Sequence, residues 1–326
     1  MIISRTPYRI SFFGGGTDYP AWYREHGGAV LSTTINKYCY ISARYLPPFF
    51  EHKYRIVWSR IENVKEISEI KHPSVRVILE IMNLRQGVEI HHDGDLPARS
   101  GLGSSSAFTV GLLYALSSLI GQHISKDKLA YQAIDIEQNI IKENVGSQDQ
   151  ISAAFGGFNQ IEFSQNYEFK VSPLVLSHEK VKELESHLML VFTGLQRNAS
   201  EIASEQIKII DDKVSEMKTM QGMVGEAINI LKSRGNIDAF GQLLHESWKI
   251  KRTLAKGISN DDIDTLYEGL RKSGAIGGKM LGAGGGGFML LFVPPERQQK
   301  IRELLKDFIH VPFKFESEGS KIIVNV

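Results

Sequence analysis

Apolar residues in the first sixty positions gather in β-branched and aromatic runs at 8–13, 29–35, 38–45 and 54–58, separated by Gly, Pro and Asn. That texture predicts strands. At Pro73 the spacing changes. Val75, Ile78, Leu79 and Met82 recur at helical intervals, and proline suits a first helical turn, so a helix is expected over 73–84. Two more helices are expected over 104–120 and 126–143, the second capped by Ser125, with strands returning near 157–163 and 169–176. Residues 187–192 form an apolar run that reads as buried strand, and 198–272 carry apolar residues three and four apart, which predicts a long helical block. Residues 280–293 pass from glycine-rich to strongly apolar; a helix over 294–308 and strands over 312–316 and 321–326 complete the reading. Strands and helices mix without regular alternation, which argues for an α+β fold over a doubly wound parallel sheet. The polar stretch 177–180 separates the two textures and places a boundary that yields domains 1–183 and 184–326.

At 326 residues the chain exceeds one core, in line with two domains. With 38 basic and 37 acidic residues it offers no basic field for nucleic acid. The single cysteine, Cys39, excludes an internal disulfide and reads as a small buried hydrophobe in a reducing cytoplasm. Arg5 and Arg9 split the first apolar residues, so no signal-peptide core is expected. The longest apolar stretch, 107–121, holds Thr109, Ser117 and Ser118 and falls short of the ~20 residues a bilayer span needs. A cytoplasmic protein without a membrane partner is the expectation.

Chemistry concentrates in four segments. PARSGLGSSSA (97–107) follows a strand-like run and opens a helix. Its glycines admit a ligand close to the backbone, its serines add hydroxyls, and the free N–H groups of a first helical turn favour an anion, usually phosphate. In PYRISFFGGGTDYP (7–20) a strand carries Arg9 into a glycine turn that delivers Asp18, a short carboxylate suited to polyol hydroxyls but equally to an Asx-turn. GSQDQ (146–150) starts a short helix with Asp149, either an N-cap or a group that orients a hydroxyl nucleophile, and Glu137 stands on the helix before it. GAGGGG (282–287) formally contains the dinucleotide fingerprint but leads into a strand, so it reads as a flexible or close-packed wall. Residues 274–279 fail the P-loop pattern at Ser273 and Met280.

These segments, in this order, resemble the three motifs of the GHMP small-molecule kinases, which include galactokinase and mevalonate kinase. The resemblance implies a ribosomal-protein-S5-like N-terminal domain and a ferredoxin-like C-terminal domain with the active site between them. Gly15 and Gly16 stand where many members carry Glu-His. The GGGTD form, with TINKYCY downstream, looks closest to bacterial D-glycero-D-manno-heptose 7-phosphate kinases, and fucokinase-like domains share the glycine run.

The resemblance implies ATP over Pro97, Ser100, Gly101, Leu102, Gly103, Ser104, Ser105 and Ser106, and Mg²⁺ on Ser105 and Glu137. It makes Asp149 and Arg9 catalytic. Gly16, Thr17, Asp18 and Gly285 would meet the sugar, and Arg197 would meet a phosphate the sugar already bears. Lys37, Lys251, Arg252 and Lys279 are weaker candidates for that task and read by default as surface charges. The implied reaction is phosphorylation of the anomeric hydroxyl of heptose 7-phosphate to the 1,7-bisphosphate, toward GDP-heptose, by a monomer or homodimer. A fucose- or galactose-like acceptor, a catalytically silent sugar-binding member and a dinucleotide oxidoreductase stand as alternatives.

Overall fold

The computed structural model describes residues 1–98, 100–194 and 199–326, Ala199 as backbone only. The first part comprises β1 (Ile2–Phe13), α1 (Pro20–His26), β2 (Gly28–Tyr45), β3 (Tyr54–Val57), β4 (Ile61–Val64), α2 (Pro73–Ile81) and β5 (Val88–Gly94). Next come α3 (Ser104–Leu119), α4 (Lys126–Asp135), α5 (Gln148–Phe155), β6 (Phe158–Phe163), β7 (Phe169–Pro173), α6 (His178–His187) and β8 (Leu188–Phe192). A helical stretch comes after them: α7 (Ala199–Lys208), α8 (Val214–Lys232), α9 (Asp238–Arg252) and α10 (Asp261–Lys272). The last elements are β9 (Gly277–Met280), β10 (Phe288–Phe292), α11 (Gln298–Leu304), β11 (Ile309–Val311), β12 (Phe315–Glu316) and β13 (Lys321–Asn325).

Two sheets result among the described residues. A nine-stranded sheet runs β13-β1-β2-β5-β3-β4, with β12 and β6 also paired to β2 and β7 to β6; a four-stranded sheet runs β11-β8-β10-β9. All pairs are antiparallel except β3 with β5. The α+β reading holds. The boundary expected at 183/184 falls within α6; strands β1–β7 belong to the first sheet and β8–β11 to the second, and β12 and β13 return to the first.

Differences from the expected elements have local causes. The strands expected at 29–35 and 38–45 are one, because Asn36 and Lys37 continue β2 while a register shift at Pro7/Tyr8 absorbs the irregularity. The edge strand β4 escaped notice because its four residues include Glu62 and Asn63. The helix expected over 126–143 keeps its Ser125 cap, which accepts from the Lys128 N–H at 3.3 Å, but stops at Asp135. A π-helical turn, Ile136–Ile140, takes over and carries Glu137, the kind of irregularity that recurs at functional sites.

The packing positions the groups that lie between the sheets. Helix α3 lies on β1 and β2. It buries Phe108, Val110, Leu112, Leu113 and Leu116, each contributing roughly 1.5–3 kcal/mol. Gly111 lets it sit close, and the Ser4 hydroxyl donates to the Gly111 carbonyl at 2.8 Å. Phe240 of α9 stands edge-on to Phe12 and Phe13 of β1, with centroids 5.4 and 5.1 Å apart, so one aromatic joint holds the two halves. Among the described residues no helix is long and apolar enough to cross a membrane.

Candidate active site

A cleft of about 680 Å³ is lined from β1, α3, α5, α7, α9 and β9. Strand β1 delivers Arg9, which is almost wholly buried. Its guanidinium forks onto Asp149, with Nε donating to Oδ1 at 2.7 Å and Nη2 to Oδ2 at 2.8 Å, while Nη1 donates to the Gly101 carbonyl at 2.7 Å. One side chain therefore joins the strand, the glycine loop and the start of α5. A bidentate charge-assisted pair is strong and directional. It fixes both carboxylate oxygens of Asp149, which keeps about a quarter of its side chain exposed to the cleft.

The glycine loop presents the amino end of α3. Gly103, at φ 73°, precedes the helix, and no side chain caps the first turn, so the early N–H groups face the cleft without a competing cap. Gly101, Gly103, Ser104, Ser105 and Ser106 line the cleft. Pro97, Ser100 and Leu102 do not. Pro97 is exposed, the Ser100 carbonyl accepts from the Phe288 N–H at 3.1 Å, and the Leu102 carbonyl accepts from the Arg9 N–H at 3.1 Å. The Ser100 and Leu102 carbonyls brace the loop.

Asp18 is buried in the cleft wall. Its Oδ1 accepts from the Gly16 N–H at 2.9 Å and its Oδ2 from the Gln148 N–H at 3.4 Å. A Cβ on Gly146 would lie 1.8 Å from Oδ2, so only glycine lets α5 start there. Burial, then the charge of Asp149, pushes the Asp18 carboxyl above its ordinary range. Gly16 lines the cleft. Thr17, expected to meet substrate, is instead fully buried: its hydroxyl donates to the Gly14 and Ala29 carbonyls at 2.8 and 2.9 Å and shapes the turn. Gly285 also lies off the cleft, its N–H donating to the Ile258 carbonyl at 2.8 Å; Gly282 and Ala283 form the wall there.

Glu137 is buried behind α3, where Ser106 donates to its Oε2 at 2.8 Å and Gln150 donates to the same oxygen. Ser105, expected to hold Mg²⁺ together with Glu137, is exposed, and the hydroxyl bonded to Glu137 is that of Ser106. Glu137 Oε1 is buried without a hydrogen-bond partner. Burial raises this carboxyl to about 7 against hydrogen bonds that lower it. Among the described residues no group of three or more His, Cys, Asp or Glu gathers for a metal.

Two lysines expected at the surface are buried in the cleft wall. Lys251 donates to the Gly282 carbonyl, and Lys279 donates to the Phe12 carbonyl at 2.8 Å. Burial lowers Lys251 to about 8, helped by Arg9 and opposed by Asp18; burial, Lys251 and Arg9 push Lys279 well below the usual lysine range. A signal for Lys251 existed: it continues the stripe Phe240, Leu244, Ser247 and Trp248 on the buried face of α9. Lys37 does not line the cleft, and Arg252 pairs with Asp264 at 2.8 Å. Arg197 lies outside the described residues. Elsewhere in the cleft lining, His72 stacks on Phe108 with centroids 4.4 Å apart and meets Trp58 edge-on at 4.8 Å, which makes an aromatic patch.

Residues 69–157 match the GHMP kinases N terminal domain and residues 227–310 the GHMP kinases C terminal domain. The chain is 30% identical over 333 residues to a D-glycero-alpha-D-manno-heptose 7-phosphate kinase of Campylobacter jejuni, covering 98% of each. It is 24% identical over 341 residues to a galactokinase of Thermotoga neapolitana, covering 96% of this chain and 95% of that one. The solved structure of a D-glycero-D-manno-heptose 1-phosphate kinase from Bacteroides thetaiotaomicron superposes with a TM-score of 0.82 at 25% identity, covering 100% of both chains. With the arginine–aspartate fork, the uncapped helix end and the packed glycine wall in one cleft, these matches establish that the chain belongs to the GHMP kinase family and is a sugar kinase.

Proposed function

We propose that this kinase transfers the γ-phosphoryl of ATP to the anomeric hydroxyl of a phosphorylated heptose, D-glycero-D-manno-heptose 7-phosphate, giving the 1,7-bisphosphate used to make GDP-heptose. The observation that carries the reading is the Arg9–Asp149 fork set directly beside the amino end of α3. Transfer needs positioning and charge stabilisation more than covalent chemistry. The Gly101–Ser106 loop meets the triphosphate with backbone N–H groups, and the aromatic patch of Trp58, His72 and Phe108 offers the base an apolar surface. Asp149, fixed by both guanidinium bonds, retains lone pairs on each oxygen with which to orient and accept the sugar hydroxyl's proton. Arg9 supplies the compensating charge. Lys251, buried in the cleft wall and protonated below about pH 8, favours an acceptor that already bears a phosphate.

The residues also fit a magnesium ion. Glu137 holds a buried oxygen without a partner, and Ser105 and Ser106 add hydroxyls, the hard-oxygen set that one carboxylate plus phosphate oxygens would complete. When bound, the ion would neutralise charge between the phosphates.

The names of the two heptose kinases put the incoming phosphate at opposite ends of the sugar, which defines the test. ADP release is measured with heptose 7-phosphate, heptose 1-phosphate, mannose 6-phosphate, galactose and fucose. Fastest turnover is expected with heptose 7-phosphate, with a second phosphate appearing on the anomeric carbon. Faster turnover with galactose or fucose replaces the substrate, and turnover with heptose 1-phosphate alone reverses the orientation.

A further inference from the structure

Three side-chain atoms around the acceptor end of the cleft are buried without a hydrogen-bond partner: Ser11 Oγ, Gln148 Oε1 and Gln206 Nε2. All three residues line the cleft, and they are only 5%, 7% and 3% exposed. Buried polar atoms are nearly always paired, because each unpaired one costs about 1–3 kcal/mol. Three together in one wall, beside Asp18, mark a place that a ligand completes. They come from separate elements: Ser11 from β1, Gln148 from α5 and Gln206 from α7. They meet at the glycine turn. A Cβ on Gly15 would lie 3.6 Å from Ser11 Oγ, and one on Gly16 would lie 2.7 Å from Gln206 Nε2.

Their hydrogen-bonding character decides what fits. Gln206 offers a donor, Gln148 an acceptor, and Ser11 either. Asp18 adds acceptors. Phosphate accepts only, so it would face the Gln148 oxygen and the Asp18 carboxylate unpaired and repelled. A run of adjacent hydroxyls, each both donor and acceptor, satisfies all four. We propose that Ser11, Gln148 and Gln206 form with Asp18 a hydroxyl-reading set that selects the polyol part of the acceptor, and that Gln206 is its specificity-determining member. This deepens the sugar-kinase reading above and rests on it. Gln206 is singled out because it alone of the four comes from the later half of the chain and brings the unpaired amide donor. It also orients the acceptor: the hydroxyl chain lies against the glycine turn, and any phosphate on the sugar lies toward Lys251 and Lys279.

The test is Gln206→Met, which keeps the length and volume of the side chain and removes its polar atoms. The sugar KM is expected to rise roughly tenfold, with kcat and the KM for ATP nearly unchanged. The thermal midpoint of the unliganded protein is expected to hold or rise, since a buried atom without a partner has been removed. A structural glutamine would show the reverse, a lower midpoint with an unchanged sugar KM, and that result overturns the proposal. Ser11→Ala is the second variant and decides the matter if Gln206→Met does not fold: a raised sugar KM supports the set, and an unchanged one sinks it. Both use the sugar that wild type turns over fastest. If wild type releases ADP with no sugar in the panel, the functional reading falls and this inference with it; if wild type is active and neither variant moves the sugar KM, this inference alone falls.

Discussion

Two of the glycine-rich segments near the cleft do opposite work. Around Gly101 and Gly103 the backbone bends to present the open end of α3 to a ligand. Around Gly282 and Gly287 the glycines let two backbones touch: added Cβ atoms would lie 2.5 Å from the Gly101 Cα and 2.3 Å from the Ser100 carbonyl oxygen. The first segment opens onto the cleft and the second packs on the first. They differ in the element each one leads into, a helix with free N–H groups in one case and the fully buried strand β10 in the other. Glycine content marks close approach, and the adjoining element tells whether a ligand or another backbone approaches.

If that contrast is right, damage on the ligand side is chemical and damage on the packing side is structural. The largest effect is expected at Asp149, whose carboxylate lies 3.3 Å from where a Gly103 Cβ would be. Asp149→Asn should lower kcat by about 100-fold or more while nucleotide affinity and thermal midpoint stay near wild type. Steady-state kinetics with ATP titration by calorimetry checks it; full turnover in a folded variant removes Asp149 from the chemistry.

Gly287→Ala should act in the other way. Its φ of 88° and the crowding at Ser100 make alanine strained, and the expected loss is roughly 3 kcal/mol of stability. Chemical denaturation measures it. A midpoint like that of wild type would show that the wall yields and that the contrast is wrong.

The smallest expected effect separates charge from packing at Lys251, which faces Arg9, Asp18 and Lys279. Below about pH 8 it carries a proton and attracts anionic substrate; above that value it does not. Wild-type kcat/KM for a phosphorylated sugar should therefore fall as pH rises through about 8. Stability should move oppositely. The unfolded chain binds this proton more readily between about 8 and the ordinary lysine value, so the contribution from Lys251 to folding rises with pH across that window. In Lys251→Met the alkaline fall should vanish and kcat/KM at neutral pH drop roughly tenfold. A pH–rate profile on both proteins decides it, and an identical alkaline limb in the variant assigns the limb to another group.

Much of this was legible in the residues. The strand carrying Arg9, the serine loop opening α3, the glycine wall and the short helix with Asp149 in its first turn all arise from local spacing and turn chemistry. Local rules reach local outcomes. Thr17 and Gly285 went astray because motif neighbours share a turn but not a direction, and one step along it decides between cleft and core. The pairing of Glu137 with Ser106 depends on a π-helical turn that no side-chain pattern announces. Ser11, Gln148 and Gln206 were invisible for a deeper reason. A polar residue that waits for a ligand looks like any other in sequence, and only burial without a partner distinguishes it.

The return of β13 to the edge of β1 has a consequence for how the protein is made. Residues 321–325 pair with residues 2–5 of the strand that carries Arg9, so that strand gains its second neighbour only from the end of the chain. A ribosome adding about 5–20 residues per second leaves the edge of β1 uncovered while some 300 residues are synthesised, a span of tens of seconds. An open edge recruits other strands. The nascent first sheet must therefore be guarded during synthesis, because the strand that carries Arg9 closes this edge only once residues 321–325 are available.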